Sequence, residues 1–348
     1  MTETLFAIPG DLDSPTGGYG YDRQVLRLLP SFGVSIRHVA LPGSFPSPSA
    51  ADLETTRKLL AASPASATLL IDGLAYGAFP ADLAADLDRR IIALVHHPLA
   101  LETGLTPARS AALKASESAA LGKVQRVVVT SAMTKSTLVS DFAVPADKIT
   151  VAEPGTDPAV RASGTGMPMQ LLAVGTVLPR KGYEGLIAAL VPLRETDWRL
   201  SIAGALDRDP ATVARLKALI ELHGLEDRIT LHGVVVPATL DRLYDSADLF
   251  VMPSLYEGYG MVLAEAMARG LPIICTTGGA AAQTVPDAAA VKVPPGDVDA
   301  LSQGLAALLA DRKLRARLAD RSWEAGRQLP TWNETARRVA AAILDLKI

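Results

Sequence analysis

Cysteine is almost missing. Cys275 stands alone among 348 residues, which excludes an internal disulfide and fits a reducing compartment. A surplus of one charge sign is missing too. The formal net charge is −3, with 14 Lys and Arg against 16 Asp and Glu in residues 1–165 and 20 against 21 in the remainder. That balance offers no basic face to nucleic acid, so none is expected as a partner. No apolar run reaches the roughly 18 residues of a membrane-spanning helix. The opening MTETLFAIPGD lacks the basic start and apolar core of a secretory signal. The cytoplasm is the expected location, with peripheral contact at the inner face of a membrane left open. Two phosphate fingerprints are absent as well. The loop from Gly10 to Gly20 does not complete G-x-G-x-x-G, because Arg23 occupies the last position, and no G-x-x-x-x-G-K-[ST] occurs. A plain NAD-dependent Rossmann enzyme is thereby disfavoured.

What is present is alternation. Short β-rich runs at Leu5–Gly10, Val34–Leu41, Thr68–Asp72, Ile91–His96, Arg126–Thr130 and Ile149–Ala152 are separated by amphipathic segments such as Asp22–Leu29 and Thr106–Leu121. The pattern restarts at Leu171–Gly175, Arg199–Ala203, Ile229–His232, Leu249–Met252 and Pro272–Cys275, with a helical stretch at Ala211–Leu222. Such alternation predicts parallel sheets covered by helices on both faces. The length exceeds what one core supports, so two α/β domains are expected. The small-residue stretch Arg161–Pro168 reads as the linker between residues 1–163 and 168–330, and residues 331–348 as a terminal helix packing back on the first domain. Doubly wound sheets bind ligands beyond the carboxyl ends of their strands.

Four loops at strand ends carry candidate chemistry. In the first, Gly17 and Gly18 let backbone approach a ligand at the start of a helix. Asp11 and Asp13 have the spacing of a metal-binding pair. The same spacing recurs at Asp86/Asp88, Asp207/Asp209 and Asp297/Asp299, so these acids are read as solvated and no metal is expected. In the second, His96 and His97 close a strand before Pro98, without the further ligands a zinc ion needs. Ser131, beyond the fifth strand, is a further candidate contact. In the third, Arg180 and Lys181 precede a helix, where the macrodipole disfavours each cation by roughly 0.3–1 kcal/mol unless an anion joins them. In the fourth, EGYGMVLAEA, Glu257 sits in a glycine-rich turn. A helix begins near Gly260 and ends at Gly270, and Glu265 is set among apolar residues. Two carboxylates around an anion-binding helix start suit a ligand that is part phosphate and part polyol, as a nucleotide sugar is.

With these motifs in view, the chain resembles the retaining glycosyltransferases of family 4, which have the two-domain GT-B fold. The likeness runs over nearly the whole chain. It is carried by Glu257-x7-Glu265 within EGYGMVLAEAMARGLPI, GTVLPRKG at 175–182, RITLHG at 228–233, LYDSADLFVMPS at 243–254 and EPGTD at 153–157. The resemblance implies a donor-side second domain and an acceptor-side first domain. It implies Gly17 and Gly18 near the donor phosphates, Arg180 and Lys181 on the diphosphate, Glu257 on the donor sugar and Glu265 on ribose hydroxyls. The backbone of Gly258, Tyr259, Gly260, Met261 and Val262 would hold sugar and phosphate, with Thr176 and Gly233 also lining the donor site. Thr176 stands where many members carry an arginine. His96, with His97 as the alternative, would lie near the reacting carbon. The implied reaction needs no cofactor or metal. It moves a sugar from a UDP-, GDP- or ADP-sugar to a glycan, lipid-linked or small-molecule acceptor. A GT-B sugar-nucleotide epimerase and a catalytically silent sugar-nucleotide-binding subunit are the alternatives.

Overall fold

The computed structural model describes residues 3–346, so the ends of the domain and tail readings at 1–2 and 347–348 lie outside the described residues. The chain divides into two units, Met1–Gly155 with Pro330–Ile348, and Thr156–Leu329.

The first unit is built on a six-stranded parallel sheet of β1 (Thr4–Pro9), β2 (Ile36–Leu41), β3 (Thr68–Asp72), β4 (Ile91–Val95), β5 (Arg126–Val129) and β6 (Ile149–Val151), in the order β2-β1-β3-β4-β5-β6. Strands β1, β3 and β4 are buried throughout and read as unbroken apolar runs, because helices cover both faces of a parallel sheet. The edge strand β2, IRHVAL, instead mixes buried and exposed positions. The helix Trp332–Leu344 belongs to this unit. Trp332 meets the Tyr21 ring at 6.0 Å, and the Thr335 hydroxyl donates to Glu153 O at 2.7 Å.

The second unit repeats the plan with β7 (Met169–Val174), β8 (Trp198–Ala203), β9 (Ile229–Gly233), β10 (Leu249–Met252), β11 (Ile273–Thr276) and β12 (Ala290–Val293), in the order β12-β11-β10-β7-β8-β9. Its two faces carry separate apolar clusters, one around Trp198, Leu186 and Leu305, the other around Phe250, Tyr244 and Leu263.

The small-residue stretch Arg161–Pro168 is no free linker. Ala162 N–H donates to Arg269 O at 2.8 Å, and Ser163 and Gly164 N–H donate to Asp245 O. The Thr165 and Gly166 amides reach Asp248 Oδ1 at 3.1 and 3.0 Å. These bonds tie it to the second unit, and the division falls ahead of it, at Gly155/Thr156.

Strand order locates the ligand-binding ends. Each sheet grows outward in both directions from an early strand, so the loops leaving β1 and β3, and those leaving β7 and β10, part company at a switch point. Crevices at such points are where open α/β sheets bind ligands.

Candidate active site

At the switch point of the second unit, the loop after β7 meets the loop after β10. Arg180 and Lys181 lie in a single 3-10 turn, Pro179–Lys181, which Gly182 closes in the left-handed region at φ +68. A Cβ on Gly182 would sit 2.2 Å from Pro253 O, so only glycine lets the two loops pack backbone to backbone. Leu255 N–H donates to Arg180 O at 2.7 Å, and the Arg180 guanidinium donates to Tyr256 O at 2.7 Å. These bonds bring Glu257 to the cations: Lys181 Nζ lies 2.7 Å from Glu257 Oε1, and Arg180 Nη1 3.5 Å from Oε2. The Glu257 side chain is 9% exposed. Burial would push its carboxyl up, but Lys181 and then Arg180 outweigh burial and hold it down at about 2. The anion that answers the two cations is thus, first of all, a carboxylate of the chain itself. Sequence reasoning pointed to phosphate alone.

The Glu257 loop is held from its other side by a feature the sequence reading passed over. Glu257 N–H donates to Gly278 O and Ala280 N–H to Glu257 O, while a Cβ on Gly278 or Gly279 would collide with Leu255 O or Glu257 O. The Gly-Gly pair just past β11 was the available signal. The helix Met261–Ala268 starts beyond Gly260, which takes φ +92, and Gly270 closes it at φ +63. Glu265, in this helix, accepts from the Tyr244 hydroxyl at 2.8 Å. Tyr244 is fully buried, stacks on Phe250 and lies under the Arg269 guanidinium at 4.4 Å. Burial, above all, holds the Glu265 carboxyl above its ordinary range. Sequence reasoning left Glu265 waiting for ligand donors. Its first donor is Tyr244, which comes from a different helix and whose motif, LYDSADLFVMPS, gives no sign of the pairing. Tyr259 is buried in the turn, Met261, Val262, Gly258 and Thr176 are partly accessible, and Gly233 ends β9 accepting Gly204 N–H at 2.9 Å.

A cavity of about 310 Å³ is lined by Gly182 and mainly by apolar groups such as Pro179, Tyr183, Leu255 and Val298. Neither Lys181 nor Glu257 reaches it, so the charged site lies apart from this cavity.

The switch point of the first unit carries a different set. The helix expected from Asp22 begins earlier, at Gly17, because Thr16 caps it by accepting from Tyr19 N–H. Gly17 and Gly18 therefore form its first turn. A Cβ on Gly18 would be 3.5 Å from the His96 ring. One turn on, Asp22 is fully buried, and its Oδ1 lies 3.3 Å from His96 Nε2. Asp72, ending β3, brings Oδ2 within 3.4 Å of the same nitrogen. The Thr130 hydroxyl fixes the His96 carbonyl, and Tyr21 stands edge-on to the imidazole at 5.4 Å. His97 turns to Glu102 at 3.3 Å instead. Ser131 caps the helix Ala132–Phe142, its hydroxyl oxygen accepting from Thr134 N–H at 3.0 Å. Asp22 and Asp72 escaped the sequence reading, since nothing local marks them as partners of a histidine on another strand. Among the described residues, Asp22, Asp72 and His96 are the group whose ligand atoms, all within 4.8 Å of one another, could hold a metal ion. Asp11 and Asp13 are not part of it.

Two parallel six-stranded sheets, each with charged groups at its switch point, define the GT-B class of α/β proteins. The chain matches the model described as Glycosyltransferase Family 4 over residues 68–160 and that of Glycosyl transferases group 1 over 161–324, an unbroken span. It belongs to this glycosyltransferase family. The D-inositol 3-phosphate glycosyltransferase of Xylanimonas cellulosilytica is 34% identical over 250 residues, 65% of this chain and 58% of that one. The chain spans little more than half the length of the curated relatives it matches. Among solved structures, the sucrose-phosphate synthase of Thermosynechococcus elongatus aligns with TM-score 0.81 at 20% identity, over 99% of both chains. HepE of Anabaena, solved in complex with UDP and glucose, aligns with TM-score 0.78 at 17% identity, over 99% of this chain and 100% of that one. At these identities the structures share the fold.

Proposed function

We propose that the chain is a retaining glycosyltransferase that moves a sugar from a nucleotide-sugar donor to an acceptor hydroxyl without a metal ion. The observation that carries this reading is the Arg180–Lys181–Glu257 cluster beside the start of the helix Met261–Ala268. Two cations against one ionised carboxylate leave one net positive charge. Together with free helix N–H groups, that charge favours a diphosphate as its bond to the sugar breaks and negative charge develops there. Lys181 then bridges the leaving phosphate and Glu257, which keeps an acceptor for sugar hydroxyls. Tyr244 holds one oxygen of Glu265, and the other accepts from the ribose.

The names of relatives, a D-inositol 3-phosphate glycosyltransferase and an α-(1→4)-mannosyltransferase, support sugar transfer, and the UDP and glucose bound by HepE support a nucleotide-sugar donor. His96 is the first unit's group for the sugar being moved. No side chain is assigned as a nucleophile, and the acceptor hydroxyl attacks from the face the phosphate leaves. Gly17, Gly18, Thr176, Gly233 and the backbone of Gly258–Val262 complete the donor contacts in this proposal. No described helix is long and apolar enough to cross a membrane, and the lone buried Cys275 fits the cytoplasm.

The test is a panel of UDP-, GDP- and ADP-sugars, with EDTA and with Mg2+, read by nucleotide release and thermal shift. One donor should stabilise the protein and be slowly hydrolysed in EDTA, and Lys181→Ala should abolish both effects. Absence of binding by any nucleotide sugar overturns the reading, and binding without turnover in the presence of acceptors makes it a silent subunit.

A further inference from the structure

Three titratable side chains meet at the switch point of the first unit, and only His96 has a role so far. Asp22, within the helix Gly17–Leu28, is fully buried, and Asp72 is 3% exposed. Both aim a carboxylate oxygen at one atom, His96 Nε2, at 3.3 and 3.4 Å. Asp72 uses its other oxygen to accept Leu74 N–H at 2.7 Å. Asp22 has no hydrogen-bond donor among the described residues, and His96 is the group of opposite charge that faces it. Neither approach is a formed hydrogen bond, since His96 Nε2 and both Asp22 oxygens lack a hydrogen-bond partner, but two buried carboxylates within 3.4 Å favour a hydrogen on that nitrogen. Nε2 is also the buried end of the ring, although the side chain as a whole is 23% exposed. Of the two ring nitrogens, Nδ1 is the one left for a ligand.

We propose that Asp22 and Asp72 are positioning residues that clamp His96 through Nε2, so that Nδ1 meets the sugar-bearing ligand as an N–H donor and not as a base. The proposal rests on the sugar-transfer reading above. A carboxylate that fixes the far nitrogen of an imidazole sets both its orientation and its protonation. Burial alone would push the His96 imidazolium down, but Asp22 and then Asp72 outweigh it and hold it up. Asp22 is itself raised, by burial first. The other titratable group against the ring is Tyr21, which burial keeps neutral, while His97 is engaged by Glu102. An imidazolium flanked by carboxylates leaves the cluster neutral or negative overall. It therefore delivers a strong hydrogen-bond donor without setting net positive charge beside a sugar carbon that is itself becoming positive.

The test reads the ring nitrogens directly. Long-range 1H–15N spectra of the 15N-labelled chain, whose sequence holds 5 histidines, assign His96 by its loss in His96→Gln. In the unaltered protein the His96 signals should stay those of an imidazolium through pH 8. In Asp22→Asn they should titrate near the ordinary value of about 6.5. A saturating nucleotide sugar should shift Nδ1 far more than Nε2, and kcat/KM should show no rising limb between pH 6 and 8. Asp22→Asn should lower kcat about 10- to 100-fold with donor KM within about threefold, and introduce that limb. Titration of His96 near or below its ordinary value in the unaltered protein overturns the proposal, whether or not the variant folds. So does one equivalent of divalent metal bound at Asp22, Asp72 and His96, or a ligand shift confined to Nε2. Because the titration needs no substrate, failure of the clamp and failure of the sugar-transfer reading are separately visible.

Discussion

Lys181 and Glu257, 76 residues apart in the chain, form a 2.7 Å ion pair at the point where the second sheet changes direction. The pair does two things at once: it closes the β7 and β10 loops on each other, and it sets charge where a phosphate is proposed to bind.

Removing one partner should therefore destabilise. Lys181→Met leaves Glu257 buried beside Arg180 alone and should cost about 3–5 kcal/mol in urea unfolding. Lys181→Met combined with Glu257→Gln should recover most of that loss without recovering donor turnover. Additive losses in the double variant would show that the two side chains are not coupled.

The same pair fixes an acid limit. The folded Glu257 carboxyl lies at about 2, below its ordinary 4.5, so the folded state binds the proton less readily than the unfolded chain. Its contribution is complete above pH 4.5 and lost as pH falls through about 2. Acid unfolding followed between those values should be less steep in Glu257→Gln, and an unchanged slope would contradict the assignment.

Glu117 should act in the opposite sense. It is buried on the helix Pro107–Leu121, accepts Leu99 N–H at 3.0 Å, and is pushed by burial from 4.5 up to about 8. A raised carboxyl costs nothing below pH 4.5 and progressively more as pH rises towards 8. Glu117→Gln, which keeps an acceptor for Leu99, should raise Tm at pH 8 and leave it nearly unchanged at pH 4. The stability gain at the higher pH should be on the order of a few kcal/mol. Equal shifts at both pH values would sink the argument.

Tyr244→Phe takes the donor from Glu265 without opening a cavity. It should cost about 1–2 kcal/mol in stability, the penalty for a buried acceptor losing its partner. Under the proposed ribose contact, donor KM should rise severalfold with kcat little altered. A pure stability effect, with KM unchanged, would remove Glu265 from the donor site.

Two glycines should respond differently. Gly182→Ala forces a left-handed alanine and places Cβ 2.2 Å from Pro253 O, so it should destabilise the second unit by several degrees in Tm. Gly18→Ala meets only an ordinary contact with His96 and adds a better helix former in a first turn. Its Tm should hold or rise while donor kcat/KM falls. Full activity in Gly18→Ala would end the proposed role of Gly18 at the phosphates.

Legibility in the sequence followed burial. Thr68–Asp72 and Leu249–Met252 are readable to the residue, because strands buried on both faces of a parallel sheet are unbroken apolar runs bounded by polar or turn residues. Ala290–Val293 is not, since this edge strand is buried only at its two ends and Lys292 breaks its apolar run. The family motifs led to Glu257, Glu265 and Lys181. The groups those residues depend on, Tyr244, Gly278 and Gly279, lie on other elements, and so do Asp22 and Asp72 beside His96. Partnership across strands is a property of register and topology, and one chain read linearly does not display it. The argument from cations at a helix start pointed to phosphate and missed that Glu257 is the first anion present.

The helix Trp332–Leu344 lies in the first unit while the whole second unit intervenes in the chain. Synthesis is vectorial, so the second unit can complete its core on the ribosome while the first still waits for a segment made after it. Until then the Tyr21 ring and the Glu153 carbonyl lack the cover that Trp332 and Thr335 provide. Expression of residues 1–155 alone should therefore yield an aggregation-prone fragment. A circular permutant that places residues 330–346 ahead of the first strand would let each unit finish folding in the order it is made.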